Sequence, residues 1–217
     1  MVFRHIVWDW NGTLLDDANV CAKAIDDMFK KRNLGEVTLG DYREKIVFPV
    51  INLYQVSGFD LEKEDYQVIC DEYIENYLKH SAKITLQKDS AFVLEEFRKK
   101  GLIQHIVSAS SSDILKEQVS YYGVEPYFDH ILGQADNRAD SKVNLAWQLI
   151  GLTGCRPEEM LFIGDTVHDH EVANEVGFHC ALVSNGHCSE ERLAATGAPV
   201  FASLSELYEH MKCKIGE

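Results

Sequence analysis

The sequence predicts an α/β fold: a doubly wound parallel sheet core with a small α-helical cap domain inserted after the first strand. Three observations predict it. Short apolar runs at Arg4–Asp9, Leu102–Ser108, Met160–Asp165 and His179–Val183 each read as a buried strand. Helical patterns separate most of these runs, and strand alternating with helix implies parallel βαβ units. One stretch, from Asp17 to about His80, carries no convincing strand and reads as helices.

In chain order, His5-Ile6-Val7-Trp8 makes the first strand and ends in charge at Asp9. Asp17–Lys31 and Leu61–Leu78 follow as amphipathic helices, with shorter elements between them. Ser90–Lys100 is a helix, Leu102–Ser108 a strand, and Asp113–Tyr122 a helix. A weaker strand lies near Asp129–Leu132, before a helix at Lys142–Ile150. Strand Met160–Asp165, helix His168–Val176, strand His179–Val183 and helices Glu190–Thr196 and Ser203–Lys212 complete the alternation. The expected division is a core of residues 1–16 and 81–217 and a cap of residues 17–80. No repeat or low-complexity segment interrupts it.

Acidic residues outnumber basic ones 35 to 21, for a formal net charge of −14. That field disfavours nucleic acid and anionic lipid as partners, and no basic run offsets it. It also repels phosphate esters at long range, so a phosphate site needs a local positive centre such as a metal or a lysine. No apolar stretch approaches the roughly 20 residues that span a membrane, and no secretory signal is visible, so a cytoplasmic protein is expected. Cys21, Cys70, Cys155, Cys180, Cys188 and Cys213 include no CxxC pair, which fits scattered buried thiols in a reducing compartment.

In open α/β sheets, ligands bind beyond the carboxyl ends of the strands. Asp9, Ser108 and Asp165 arrive there from three separate strands. Asp9 opens Asp9-Trp10-Asn11-Gly12-Thr13. Its carboxylate can attack phosphorus while the loop N–H groups hold phosphate oxygens, or the run is a turn capped by Asp and Asn and bent at Gly. Asp165 and Asp169, in Gly164-Asp165-Thr166-Val167-His168-Asp169, suit a hard cation such as Mg2+, or cap the next helix. Lys142 stands at a helix start, against the dipole preference for acids there, which favours a role in neutralising a phosphate oxygen or the nucleophilic carboxylate, or it is a solvated surface lysine. In Ser108-Ala109-Ser110-Ser111-Ser112 one hydroxyl can bind phosphate and another cap the helix that follows. No GxSxG motif makes Ser108 a nucleophile.

These four elements, in this order, resemble the four motifs of the haloacid dehalogenase superfamily from Asp9 to about Val183, and phosphoglycolate-phosphatase-like members have a similar layout. The resemblance implies a phosphatase of small phosphorylated metabolites working through an aspartyl phosphate. Asp9 matches the nucleophile, Ser108 the phosphate-binding Ser/Thr, Lys142 the third-motif lysine, and Asp165 and Asp169 the metal-binding acids. Magnesium is then held by Asp9, the main-chain carbonyl of Asn11, Asp165 and Asp169. Phosphate contacts fall to Trp10, Asn11, Ser108, Ala109 and Lys142. The insertion resembles the family's helical cap of the first type, which sets substrate choice. Arg43, Lys45 and Phe48-Pro49-Val50 are candidates to face the site, with Arg43 pairing with a substrate carboxylate or second phosphate.

One position departs from the family pattern. Phosphatases of this family usually carry a second Asp two residues after the nucleophile, and Asn11 stands there. An amide positions groups but exchanges no proton near neutral pH, and general acid–base help is worth about 10²–10⁴ in rate. Slow hydrolysis of ordinary alkyl phosphates is therefore expected, and a non-catalytic phospho-ligand sensor is the rival from another class. Phosphonoacetaldehyde hydrolases share the Asp-Trp start without the second Asp and use a cap lysine. Lys23, Lys30, Lys31, Lys45, Lys63 and Lys79 are the cap candidates here. His168 and His170 flank Asp169, but their spacing places them on different helix faces. Asn11-Gly12 is also a deamidation-prone pair that would restore a carboxylate.

Overall fold

A computed structural model of the protein describes residues 3–137 and 141–212. Asp140 and Cys213 lie outside the described residues. The strands are β1 His5–Trp8, β2 Leu15–Asp16, β3 Thr85–Leu86, β4 Ile103–Ser111, β5 His130–Gln134, β6 Met160–Gly164, β7 His179–Val183 and β8 Val200–Phe201. The α-helices are α1 Ala18–Lys31, α2 Leu39–Lys45, α3 Ile51–Val56, α4 Tyr66–His80, α5 Ser90–Lys99, α6 Ser112–Tyr121, α7 Val143–Thr153, α8 Val167–Val176, α9 Glu190–Ala194 and α10 Leu204–Met211.

Six strands form one parallel sheet in the order β5-β4-β1-β6-β7-β8. The chain builds outward from β1 through β4 to β5, then crosses back to build β6, β7 and β8 on the other side. That reversal opens a crevice at the carboxyl end of β1. The unbroken burial of His5-Ile6-Val7-Trp8 follows from helices on both faces. Ile6, Trp8, Ile106 and Ile163 pack on one face with Leu94, Phe97 and Leu207. Val7, Val107 and Phe162 pack on the other with Ala146, Leu149, Val172 and Val176. This alternation is the period of two expected of a strand.

The α/β core with a helical insertion after the first strand is thus as the sequence predicts. β2 and β3 pair antiparallel, so the chain leaves the core and returns to it at one place. Within the insertion, α1 presents Ala18, Cys21, Ala22, Ile25, Met28 and Phe29 inward at helical spacing and packs on α4. Arg32 joins the loop before α4 to α4 itself, reaching Glu64 at 2.5 Å and Glu72 at 2.8 Å. The boundaries shift in several places, among them β4, which runs on to Ser111. The helix expected over Leu61–Leu78 begins at Tyr66, where Asp65 caps it. The weak strand near Asp129 is the five-residue edge strand β5. The two-residue β2, β3 and β8 are too short to leave a periodic pattern. Among the described residues, no helix is long and apolar enough to cross a membrane.

Candidate active site

Asp9 leaves β1 with its N–H donating to the Ile163 carbonyl of β6, which holds it at the seam of the two central strands. Lys142 ends the segment after β5, immediately before α7. Asp165 and Asp169 come from the β6–α8 turn. The topology therefore brings all four to one point. Lys142 Nζ lies 2.9 Å from Asp9 Oδ1 and also contacts Asp169 Oδ1. Asp9, Asp165 and Asp169 each offer a carboxylate oxygen, and these oxygens lie within 4.8 Å of one another. All four side chains are buried.

Asp169 takes the helix-capping role. Its Oδ2 accepts from the N–H groups of Asp165 and Thr166 at 3.1 and 2.9 Å, and Thr166 caps the Asp169 N–H in return. Its other oxygen remains for Lys142. Asp165 is fixed from both sides, by Thr13 Oγ1 at 2.7 Å and the His187 N–H at 2.6 Å. Two glycines allow this closeness. A Cβ on Gly186 would stand 2.1 Å from Asp165 Oδ2, and one on Gly12, where φ is +77°, would stand 2.2 Å from it. Only glycine fits such approaches.

Two of the three buried carboxylates, Asp9 and Asp169, share one ammonium. Burial pushes Asp9 well above the usual carboxylate range; Lys142 opposes this, while Asp169 and Asp165 reinforce it. Asp165 is raised as well, by burial first, with His187 opposing and Asp169 adding. Burial alone would also raise Asp169, but Lys142 and Thr166 outweigh it and hold its carboxyl low. For Lys142, burial favours the neutral amine, yet Asp169 and Asp9 dominate and keep it charged. With all three carboxylates ionised the point would carry more negative than positive charge, which is the condition a hard divalent cation relieves. None of the described residues donates a hydrogen bond to the Asn11 main-chain carbonyl.

Ser108 is buried within β4, which runs on to Ser111, and its Oγ accepts from the Ser110 N–H at 3.2 Å. It lines a cavity with Asp9, Asn11, Ala109 and Lys142. Trp10 is fully buried and its indole N–H donates to Gln118 at 2.8 Å, so its side chain belongs to the packing beneath the site. His168 is buried, with its Nε2 accepting from the Lys142 N–H at 3.3 Å, whereas His170 bonds Asn174 at the surface.

Arg43 and Lys45 require a correction. Arg43 donates to the Gly186 and Asn185 carbonyls at 2.8 and 3.0 Å, which ties α2 to the loop after β7. Lys45 is exposed, and neither residue lines the cavity. Helix α2 turns them away because Tyr42 takes its buried face. The cap lysines are elsewhere too. Lys23, Lys30, Lys31 and Lys63 pair with carboxylates of the insertion, Lys79 bonds Asn76, and none lines the cavity. A Schiff-base lysine is therefore not presented to the site.

A second buried cluster was not anticipated. Asp17 accepts from Asn11 Nδ2 at 2.6 Å, Gly12 N–H at 2.9 Å, Tyr77 Oη at 3.0 Å and Cys21 Sγ at 3.6 Å. His187 Nε2 lies 3.1 Å from the same carboxylate, and its Nδ1 lies 2.8 Å from Tyr42 Oη. Burial opposes the charge on both members, but their mutual attraction wins. Asp17 is held below its ordinary value, and the His187 pKa is pushed up to about 9. The pair is therefore ionic. The Asn11 amide is engaged at its other end as well, where Oδ1 accepts from Ser110 Oγ at 2.7 Å.

A family profile described as "Haloacid dehalogenase-like hydrolase" matches residues 6–183. The chain is 27% identical to a phosphoglycolate phosphatase from Aquifex aeolicus, over 85% of this chain and 86% of that one. It is 26% identical to the pyrophosphatase PpaX from Bacillus velezensis, over 82% of each. Among solved structures, a predicted phosphatase from Clostridium acetobutylicum superposes with a TM-score of 0.81 at 19% identity, covering 98% of this chain and 99% of that one.

Proposed function

The chain belongs to the haloacid dehalogenase-like hydrolase family, and on that premise we propose that it is a magnesium-dependent phosphatase working through an aspartyl phosphate on Asp9. One observation carries the reading: Asp9, Lys142, Asp165 and Asp169 meet at the crevice of the sheet with Ser108 beside them. The names of the relatives above, a phosphoglycolate phosphatase and a pyrophosphatase, point to phosphorylated substrates as a class.

Asp9, Asp165, Asp169 and the Asn11 carbonyl would hold Mg2+. When bound, the ion neutralises charge on the phosphoryl oxygens and returns the crowded carboxylates to their ionised form. Asp9 Oδ attacks phosphorus in line with the leaving oxygen. Lys142, Ser108 and the N–H groups of Trp10, Asn11 and Ala109 steady the transferring phosphoryl group. Water then cleaves the acyl phosphate, releasing inorganic phosphate and restoring the Asp9 carboxylate. Residues 17–80 act as the cap that covers the site, and residues 1–16 and 81–217 as the core that performs the chemistry.

The test is magnesium-dependent phosphate release from a panel of phosphate esters and acyl phosphates by wild type and Asp9→Ala. Release by wild type that vanishes in Asp9→Ala supports the reading. The same panel hydrolysed equally by both proteins refutes it. Binding of phosphate compounds without turnover makes the chain a sensor.

A further inference from the structure

We propose that the group esterified to phosphate in the substrate is uncharged and aromatic, so that the chain is a phosphatase of aryl phosphates. This rests on the phosphatase reading above and adds the substrate class. The first argument is the wall of the cavity over Asp9. The insertion supplies Ile25, Tyr54, Tyr66, Tyr73 and Ile74, and α6 supplies Ile114. Among the described residues, the cations that line it are Lys142 and His187, and each is already matched. Lys142 sits between Asp9 and Asp169, and His187 on Asp17. Arg43 is spent on main-chain carbonyls. Among the described residues, a carboxylate or second phosphate on the substrate would thus find no uncommitted counter-charge, and desolvating it is costly. A flat apolar ring gains contact with aromatic walls instead.

The second argument is independent and chemical. The Asn11 amide donates to Asp17, accepts from Ser110, and has no proton to give a departing oxygen. In the first step the bond from Asp9 Oδ to phosphorus forms and the bond from phosphorus to the ester oxygen breaks. The electron pair leaves on that oxygen, which takes its proton from solvent afterwards. Phenols ionise near about 10, whereas water, the nearest guide to an alkyl alcohol, ionises at about 15.7. An aryl oxide therefore departs unaided far more readily than an alkoxide. In the second step one water attacks the acyl phosphate, whose leaving group is the weakly basic Asp9 carboxylate. Overall, one ester and one water give one phenol and one inorganic phosphate.

The experiment compares phenyl phosphate, benzyl phosphate and 2-phosphoglycolate as magnesium-dependent substrates of wild type, Asp9→Ala, Asn11→Asp and Val50→Arg. Phenyl and benzyl phosphate share the apolar fit, but only phenyl phosphate has a good leaving group. Both are expected to show KM values at least about tenfold below that of phosphoglycolate, the scale on which a pocket separates apolar from mismatched groups. The kcat for phenyl phosphate should exceed that for benzyl phosphate by about 10²-fold or more, the share a missing general acid leaves. Val50→Arg, at the cavity wall, should shift preference toward phosphoglycolate, and the wild-type panel decides alone if that variant does not fold. Phosphoglycolate used ahead of both ring compounds, with Asp9 dependence, overturns the aryl assignment and leaves the phosphatase reading standing. No Asp9-dependent turnover of any of the three overturns both.

Discussion

Replacing Asn11 by Asp is the most informative perturbation, because the structure says that the new carboxyl would not behave as an ordinary one. Asn11 Nδ2 stands 2.6 Å from Asp17 Oδ2, so the substitution sets two carboxylate oxygens face to face at that separation. Two carboxyls so close share a proton and titrate as a pair. Asp17 is held ionised by His187, Tyr77 and the Gly12 N–H, so the proton resides on the new side chain. The outcome is a carboxylic acid still protonated near neutrality, which suits a general acid. Benzyl phosphate turnover should therefore rise by about 10²–10⁴ in Asn11→Asp, while phenyl phosphate turnover changes much less. The stability change has the opposite sign. A hydrogen bond to a charged acceptor, worth about 1.5–3 kcal/mol, is exchanged for one that needs a bound proton. A proton held more tightly in the folded state stabilises at low pH and is lost as pH rises through the raised pKa. The variant should thus be closer to wild type at pH 5 than at pH 8 in urea titrations. A ratio of benzyl to phenyl turnover unchanged from wild type across that pH range would refute the reasoning.

Three further predictions follow from the same geometry. Lys142→Ala leaves the buried Asp9 and Asp169 carboxylates without their cation and should cost about 3–5 kcal/mol in metal-free protein, together with all Asp9-dependent turnover; thermal unfolding with and without Mg2+ reads how much the ion restores. Two histidines give metal-free stability opposite pH limbs. The His187 pKa of about 9 lies above its unfolded value, so its contribution is complete below about pH 6.5 and falls by on the order of 3 kcal/mol as pH rises to 9, a limb that His187→Gln should flatten in urea midpoints. His105 is the reverse: burial first, then the neighbouring His5 and His130, push it down to about 3, so its contribution is complete above about pH 6.5 and about 2 kcal/mol is lost by pH 5; its imidazole NMR signals should not move between pH 8 and 5. Gly186→Ala would place a methyl 2.1 Å from Asp165 Oδ2, and the displaced carboxylate should weaken Mg2+ binding in calorimetry at a stability cost of about 1–3 kcal/mol.

How legible the site was depends on where each residue sits on the chain. Asp9, Ser108 and Asp165 were readable because each closes an apolar run, and a parallel sheet brings such ends to one edge. Lys142 was readable because its charge opposes the helix it precedes. Asp17 and His187 escaped for equally physical reasons. Neither ends a sheet strand of the core, and 170 positions separate them. Asp17 looked like an ordinary helix start, yet its side chain makes no cap bond and turns to Asn11, Gly12 and His187 instead. The only local trace of His187 was Gly186 before it, whose need becomes visible only once Asp165 is placed. Arg43 was misplaced because periodicity does not say which face of a seven-residue helix is buried, and here Tyr42 decides it.

The Asp17 cluster also changes how Asn11 is to be understood. Viewed along the sequence, Asn11 is a family acid that has lost its charge. In the fold it is the donor that an ionised Asp17 requires, with Ser110 satisfying its other end. A carboxylate in its place would face Asp17 and need a proton of its own. The Asn11 side-chain amide is partnered at both ends, which spares the site the desolvation cost of an unpaired buried group. Here Asn11, Asp17, His187, Tyr42 and Tyr77 form a connected network of hydrogen bonds beside the nucleophile's loop. Three members of that network, Asp17, Tyr42 and Tyr77, come from the insertion or its hinge, and two, Asn11 and His187, come from the core. The exchange of carboxylate for amide is thus coupled to how the insertion seats on the sheet. The same seating lines the cavity with rings in place of cations, so the leaving group that fits the walls is the one that needs no acid.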